Sequence, residues 1–203
     1  SFQEEYALFI GDTHIGSKLF MEDKFLKFID YVNGKLPGSD KEEINKIKYI
    51  FVIGDLICGI GIYPEQEKEL IVPDAEKQYE MVAELFSKFR KDVKIIICPG
   101  NHDALRIMEP QPIFDEKYAW PLYNLKNVLL TTNPSLINIA AQKTFPGFNV
   151  LMYHGYSFHY YNETIPEFVQ SKAINNNPDK IMHYLLKNRH LAPSHSSTLY
   201  FPS

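Results

Sequence analysis

Four short apolar runs, each broken off by a cluster of metal-ligand side chains, constrain this chain more than any other feature. Residues 6–10 (YALFI) run into Gly11, Asp12, Thr13 and His14, and residues 49–53 (YIFVI) into Gly54 and Asp55. Residues 93–98 (VKIIIC) run into Pro99, Gly100, Asn101, His102 and Asp103, and residues 148–153 (FNVLMY) into His154 and Gly155. Runs of this length, rich in Ile, Val and aromatics and without alternation, predict strands covered on both faces. Residues 128–132 and 136–140 predict two shorter strands around the turn signal Asn133-Pro134.

Helical spacing fills the gaps. Residues 21–33 place Met21, Phe25, Phe28, Ile29 and Val32 on one face, with Gly34 as a stop. Residues 74–89 group Val82, Leu85, Phe86 and Phe89 behind Asp74 as N-cap. Asn177-Pro178 opens a third helix with Ile181 and Leu185 inward. Strands alternating with helices predict a layered α/β fold. Residues 58–73 (CGIGIYPEQEKELIVP) follow neither period and predict a long loop directly after Asp55.

Composition narrows the class. With 45% hydrophobic and 23% charged residues, the chain has the balance of a globular domain rather than of a disordered one. No run of 18 apolar residues predicts a membrane span. Two cysteines, Cys58 and Cys98, are too few for a disulfide framework and predict buried thiols in a reducing, intracellular compartment. A net charge of −4 does not advertise a nucleic-acid binder, although bound metal ions reverse the charge of an acidic site. The start lacks both an initiator Met and the apolar segment of a secretory signal, so residues 1–203 read as one domain cut from a longer protein.

The chemistry lies in the four clusters. Ligands of open α/β sheets bind outside the carboxyl ends of the strands, so all four clusters are expected at one rim. Carboxylates, amides and imidazoles there suit Mn, Fe or Zn, and a carboxylate can bridge two ions. Two ions roughly 3.5–4 Å apart clamp the oxygens of a phosphate being displaced. Taken singly, Asp-x-His or Gly-Asp marks a turn far more often than a ligand pair; the ordered conjunction of all four carries the reading.

That conjunction resembles the calcineurin-like metallophosphoesterases. The resemblance implies a four-layer αββα sandwich around two divalent ions. Position by position, Asp12 and His14 would hold the first ion, Asp55 would bridge both, and Asn101 and His154 would hold the second. His102 would contact the phosphate and protonate the leaving oxygen, with Asp103 behind it to orient it. A narrower resemblance, to the small-subunit family of archaeal family-D DNA polymerases, is carried by HIGSKLFMEDKFLKFIDYVNG, VIGDLICGIGIYPEQEKEL, PGNHDALRIMEPQPIF, LMYHGYSF and LLKNRHLAP. It implies an archaeal, cytoplasmic exonuclease domain similar to the Mre11 nuclease. Manganese-dependent 3′-to-5′ proofreading at DNA 3′ ends and pairing with a large polymerase subunit would follow. Lys18 and Arg106, close behind two of the clusters, are candidates for the DNA backbone, and Phe20, Tyr63 and Tyr156 for base stacking.

One element of the family pattern is missing. The resemblance calls for a late Gly-His-x-His that gives one histidine to each ion, and none of the seven histidines stands in such a motif. His159, His183, His190 and His195 each read as structural or exposed. The sandwich is therefore expected to be incomplete at its C-terminal end, with apolar surface uncovered, weak metal occupancy and little activity. Residues 194–203 do not resemble the family. Two other functions use the same motifs: a phosphatase or cyclic phosphodiesterase, and a non-catalytic scaffold within a polymerase complex.

Overall fold

The computed structural model describes residues 3–191. Its first sheet holds β1 (Tyr6–Ile10), β2 (Ile47–Ile53), β3 (Lys94–Cys98) and β4 (Val128–Leu130), all parallel and in the order β1-β2-β3-β4. The crossovers carry α1 (Glu22–Val32), α2 (Lys41–Lys46), α3 (Ala75–Ser87) and α4 (Glu116–Tyr123). Strands β5 (Ser135–Ile139) and β6 (Phe148–Met152) form a separate antiparallel pair.

Alternate residues of the central strands sort to two cores. Ile50 and Val52 of β2 and Ile95 and Ile97 of β3 pack toward the helices, where α1 and α3 contribute Ile29, Val32, Val82, Leu85 and Phe86. Phe51, Ile96 and Cys98 point the other way, against Met152, Val150 and Ile137 of the β5–β6 pair. Burial on both faces is why these two strands read as unbroken apolar runs. Rings reinforce the first core: Phe25 stacks on Phe86 at 5.9 Å between centroids, and Phe89 meets Phe86 edge-on at 5.8 Å. Asp74 caps α3 as expected, its carboxylate accepting from the Lys77 amide at 3.0 Å.

Two expectations change. The run ending at His154 is not covered on both faces. Leu136 and Leu151, opposite each other on the outer face of the pair, are 64% and 38% exposed, and among the described residues no helix lies over them. Three of the four expected layers are therefore present. Met21, expected on the inner face of α1, instead sits outside it and is exposed, because the helix starts one residue later.

The helices after His154 form a cluster of their own. They are α5 (Phe158–Thr164), α6 (Pro166–Ser171), α7 (Ala173–Asn176) and α8 (Pro178–Asn188). They close around Tyr161, Phe168, Ala173, Ile181 and Leu185. His190 belongs here, its Nδ1 bonded to the Tyr161 hydroxyl at 2.8 Å, far from any ligand role. His195 and residues 194–203 lie outside the described residues. Among the described residues no helix is long and apolar enough to cross a membrane.

Candidate metal centre

The three parallel strands β1, β2 and β3 end side by side, and their polar clusters meet at that rim. The segments beyond β1 and β2 stay zipped together. The Asp12 amide donates to the Gly54 carbonyl (3.2 Å), the His14 amide to the Asp55 carbonyl (3.0 Å) and the Ile15 amide to the Leu56 carbonyl (2.9 Å). This pairing fixes Asp12 and His14 beside Asp55. It also demands unusual backbone: Asp12, His14 and Asp55 all lie in the left-handed region, at φ 52°, 44° and 51°. Each such residue costs of order 1–3 kcal/mol, a strain typical of functional sites.

Two glycines make the approach possible. A Cβ on Gly100 would lie 2.1 Å from Asp55 Oδ1, and one on Gly54 would lie 2.5 Å from His154 Nδ1. Neither position tolerates a side chain without displacing an expected ligand.

Asp55 is the centre of the cluster and is only 3% exposed. Its Oδ1 accepts from the His102 amide at 2.9 Å and lies 3.5 Å from His154 Nε2; its Oδ2 lies 3.7 Å from His14 Nε2 and 4.0 Å from His102 Nε2. Asp12 Oδ1 is 3.9 Å from His14 Nε2. Among the described residues no Lys or Arg pairs with either carboxylate. Burial holds the His14 pKa below its usual value against the pull of Asp55, so its ring is a neutral ligand at neutral pH.

The second side of the cluster gathers further metal-donor atoms. His154 Nδ1 lies 3.0 Å from the Ile53 carbonyl, which can only accept, so Nδ1 carries the ring proton. His154 Nε2 then lies toward the cluster, 2.9 Å from the Asn101 side-chain amide. The Asp55 carboxylate stands alongside, its Oδ1 3.5 Å from Nε2. Oxygen and imidazole nitrogen donors of this kind suit Mn, Fe or Zn. Asp12, Asp55 and His154 each bring a ligand atom within 4.8 Å of the other two, as a shared ion requires.

His102 is held differently from expectation. Its Nδ1 donates to the Cys58 carbonyl at 2.7 Å, so the loop at 58–73, not Asp103, orients the ring and leaves Nε2 facing the site. The loop is rigid at its base because two buried glutamines staple it. Gln66 Nε2 donates to the Cys58 carbonyl at 2.8 Å, and Gln78 Oε1 accepts from the Gly59 amide at 3.0 Å. Asp103 is fully buried and works on backbone: Oδ1 accepts from the Leu56 and Ile57 amides and Oδ2 from the Gly100 amide. It thereby ties the turn after β2 to the turn after β3. Burial pushes its carboxyl up to about 7, against the lowering by those amides.

Cys58 has a place the sequence did not suggest. Its Sγ lies within 4.8 Å of ligand atoms of both His14 and His102. Burial raises its pKa and Gln66 Nε2 contacts it at 3.6 Å, so it stays a protonated thiol in the wall of the site. Lys18 and Arg106 do not reach the cluster. Lys18 Nζ donates to the Lys68 carbonyl at 2.7 Å, and the Arg106 guanidinium donates to the Pro110 carbonyl. Tyr63 stands 6.3 Å from the His102 ring, its hydroxyl on Glu69.

Sequence reasoning missed the residue that shapes the His154 loop. Glu109 is fully buried, and its carboxylate accepts five hydrogen bonds. Oε1 takes Asn133 Nδ2 and the Gly155 and Tyr156 amides at 3.1–3.2 Å; Oε2 takes the Tyr153 hydroxyl at 2.6 Å and the Ser157 amide at 3.2 Å. Asn133 in turn accepts from the His154 amide at 3.0 Å and donates to Gln111. Only the stretch PGNHDALRIMEPQPIF, which contains Glu109 and carries part of the resemblance, hinted at this.

A family model described as calcineurin-like phosphoesterase matches residues 7–200. The chain belongs to the calcineurin-like phosphoesterase family. Within it, the chain is similar to proteins named DNA polymerase II small subunit. It is 43% identical over 186 residues to that of Methanothermobacter thermautotrophicus, covering 91% of this chain and 36% of the relative. To that of Pyrococcus horikoshii it is 42% identical over 193 residues, covering 95% and 29%. To that of Archaeoglobus fulgidus it is 39% identical over 189 residues, covering 93% and 36%. The chain thus spans about a third of the length of these relatives. Family members generally bind divalent metals, and the acceptors converging on Asp55 are the part of this phosphoesterase suited to them.

Proposed function

We propose that this phosphoesterase domain hydrolyses phosphodiesters at DNA 3′ ends with two divalent ions, manganese by preference over iron or zinc. The observation that carries the reading is the convergence of Asp12, His14, Asp55, Asn101 and His154 on one rim, with no Lys or Arg paired to the carboxylates among the described residues. Divalent ions bound there would polarise the phosphate and lower the pKa of an attacking water. Asp12 and His14 would hold the first ion, Asn101 and His154 the second, and Asp55 would serve both. His102, with Nδ1 anchored on the Cys58 carbonyl, presents Nε2 to protonate the departing 3′ oxygen. The relatives' name, DNA polymerase II small subunit, supports a large polymerase subunit as the partner; DNA 3′ ends as the substrate and proofreading inside an archaeal cell complete the reading. Among the described residues each ion would have only two ligand residues besides Asp55, so weak metal binding and slow turnover are expected. The test is a 3′-labelled mismatched primer with manganese, compared with Asp55→Ala and His102→Ala. Slow laddering from the 3′ end that disappears in both variants is expected. Turnover of a small phosphate ester alone would favour a phosphatase, and no turnover in any form a scaffold.

A further inference from the structure

We propose that a pocket between the His14 turn and α1 receives the base of the nucleotide whose phosphodiester is cut. This rests on the phosphodiesterase reading and names where its substrate sits. The pocket measures about 400 Å³, within the range of sites that hold small molecules, and Asp12 and His14 form one wall. A ligand bound there therefore has its reacting phosphate at the metal centre and its remaining bulk against the rest of the pocket.

That remainder is apolar and partly aromatic. Ser17, buried, folds the segment after His14 into a tight turn: its side chain accepts from the Leu19 amide at 3.1 Å and its carbonyl from the Phe20 amide at 3.1 Å. The turn throws Leu19 and Met21 outward, 80% and 68% exposed, on either side of Phe20. Phe20 and Phe25, rings tilted 5.8 Å apart, line the space beneath. Large apolar side chains so exposed beside a polar site suit a flat, dehydrated partner such as a nucleobase.

Charge gives the direction. Lys24 lies on the pocket edge and its ammonium has no ion pair among the described residues. A larger groove beside His102 carries Asp74 and Glu76 in its lining, which repel a polyanion. The terminal base therefore lies toward Phe20, and Lys24 is left to meet the next phosphate.

The experiment uses an oligonucleotide with 2-aminopurine at its 3′ end, and a matched one whose last residue is abasic. Calcium replaces manganese for binding, and manganese is used for turnover. The wild-type chain is expected to quench the terminal 2-aminopurine on binding. It should prefer the base-bearing end over the abasic one by about tenfold in kcat/KM, the scale of one base–aromatic stack. Leu19→Asp, at an exposed position, should abolish the quench and collapse that preference toward one; Phe20→Ala should do the same if it folds. Quenching without hydrolysis would keep the pocket and remove the phosphodiesterase reading. Hydrolysis with equal rates on the two ends, or no quench in the wild type, would overturn the pocket.

Discussion

Glu109 offers the sharpest perturbation, because its carboxylate is buried without a cation and is neutralised by hydrogen-bond donors. Glu109→Gln keeps the shape and replaces one oxygen with an NH₂ group. The amide will turn its oxygen toward the three donors on the Oε1 side, Asn133, Gly155 and Tyr156. Its NH₂ then faces the Tyr153 hydroxyl and the Ser157 amide. The hydroxyl can reverse and accept; the Ser157 amide cannot. One stranded buried amide costs about 1–3 kcal/mol, and the remaining bonds lose their charge assistance, so we expect a loss of about 2–4 kcal/mol. Glu109→Ala removes all five acceptor contacts and should cost at least as much as breaking a buried charged network, about 3–5 kcal/mol. Urea unfolding with chelator present measures both. The same variants should weaken manganese binding, since Asn133 and the 155–157 turn hold the His154 backbone. A change below about 0.5 kcal/mol for Glu109→Gln, with manganese binding intact, would refute this reasoning.

Other expectations follow from the same geometry. Gly100→Ala places a methyl carbon on Asp55 Oδ1 and should abolish manganese binding while costing about 1–3 kcal/mol in urea unfolding; retained binding would show that the turn yields. The Asp103 carboxyl has a folded pKa of about 7 against 3.8 unfolded, so the native state holds the extra proton between those values. Stability of the metal-free chain should therefore fall as pH rises from about 4 to 7, and Asp103→Asn should flatten that slope in pH-dependent urea titrations. Phe86→Ala, in the helix-side core, should cost about 3–5 kcal/mol in unfolding yet leave manganese stoichiometry unchanged under folding conditions.

Much of this was legible in the residues. Strands β2 and β3 announced themselves because both faces are buried, which leaves a continuous apolar run, and the ligand clusters followed at their carboxyl ends. The exposure of Leu136 and Leu151 agrees with the uncovered apolar surface expected at the C-terminal end. Which residues it would expose was not legible, because an apolar residue on a strand reads as covered whether or not a layer lies over it. The orientation of His102 escaped for a different reason. Asp103 is its neighbour in sequence, but the acceptor that fixes the ring is the carbonyl of Cys58, 44 positions away. Backbone carbonyls leave no mark in a sequence. The same holds for Glu109, whose five donors come from two segments, Asn133 and residues 153–157, brought to it only by folding. Lys18 and Arg106 were candidates by proximity along the chain; each donates to a backbone carbonyl, of Lys68 and Pro110, rather than to the cluster.

The central claim is that Asp55 joins the two halves of one metal centre. Manganese titration followed by calorimetry, on the wild-type chain and on Asp55→Ala, tests it most directly. The account predicts saturable binding of two ions, weak in this chain, with both lost together in Asp55→Ala. Absence of binding in the wild type, or two ions still held by Asp55→Ala, would contradict it.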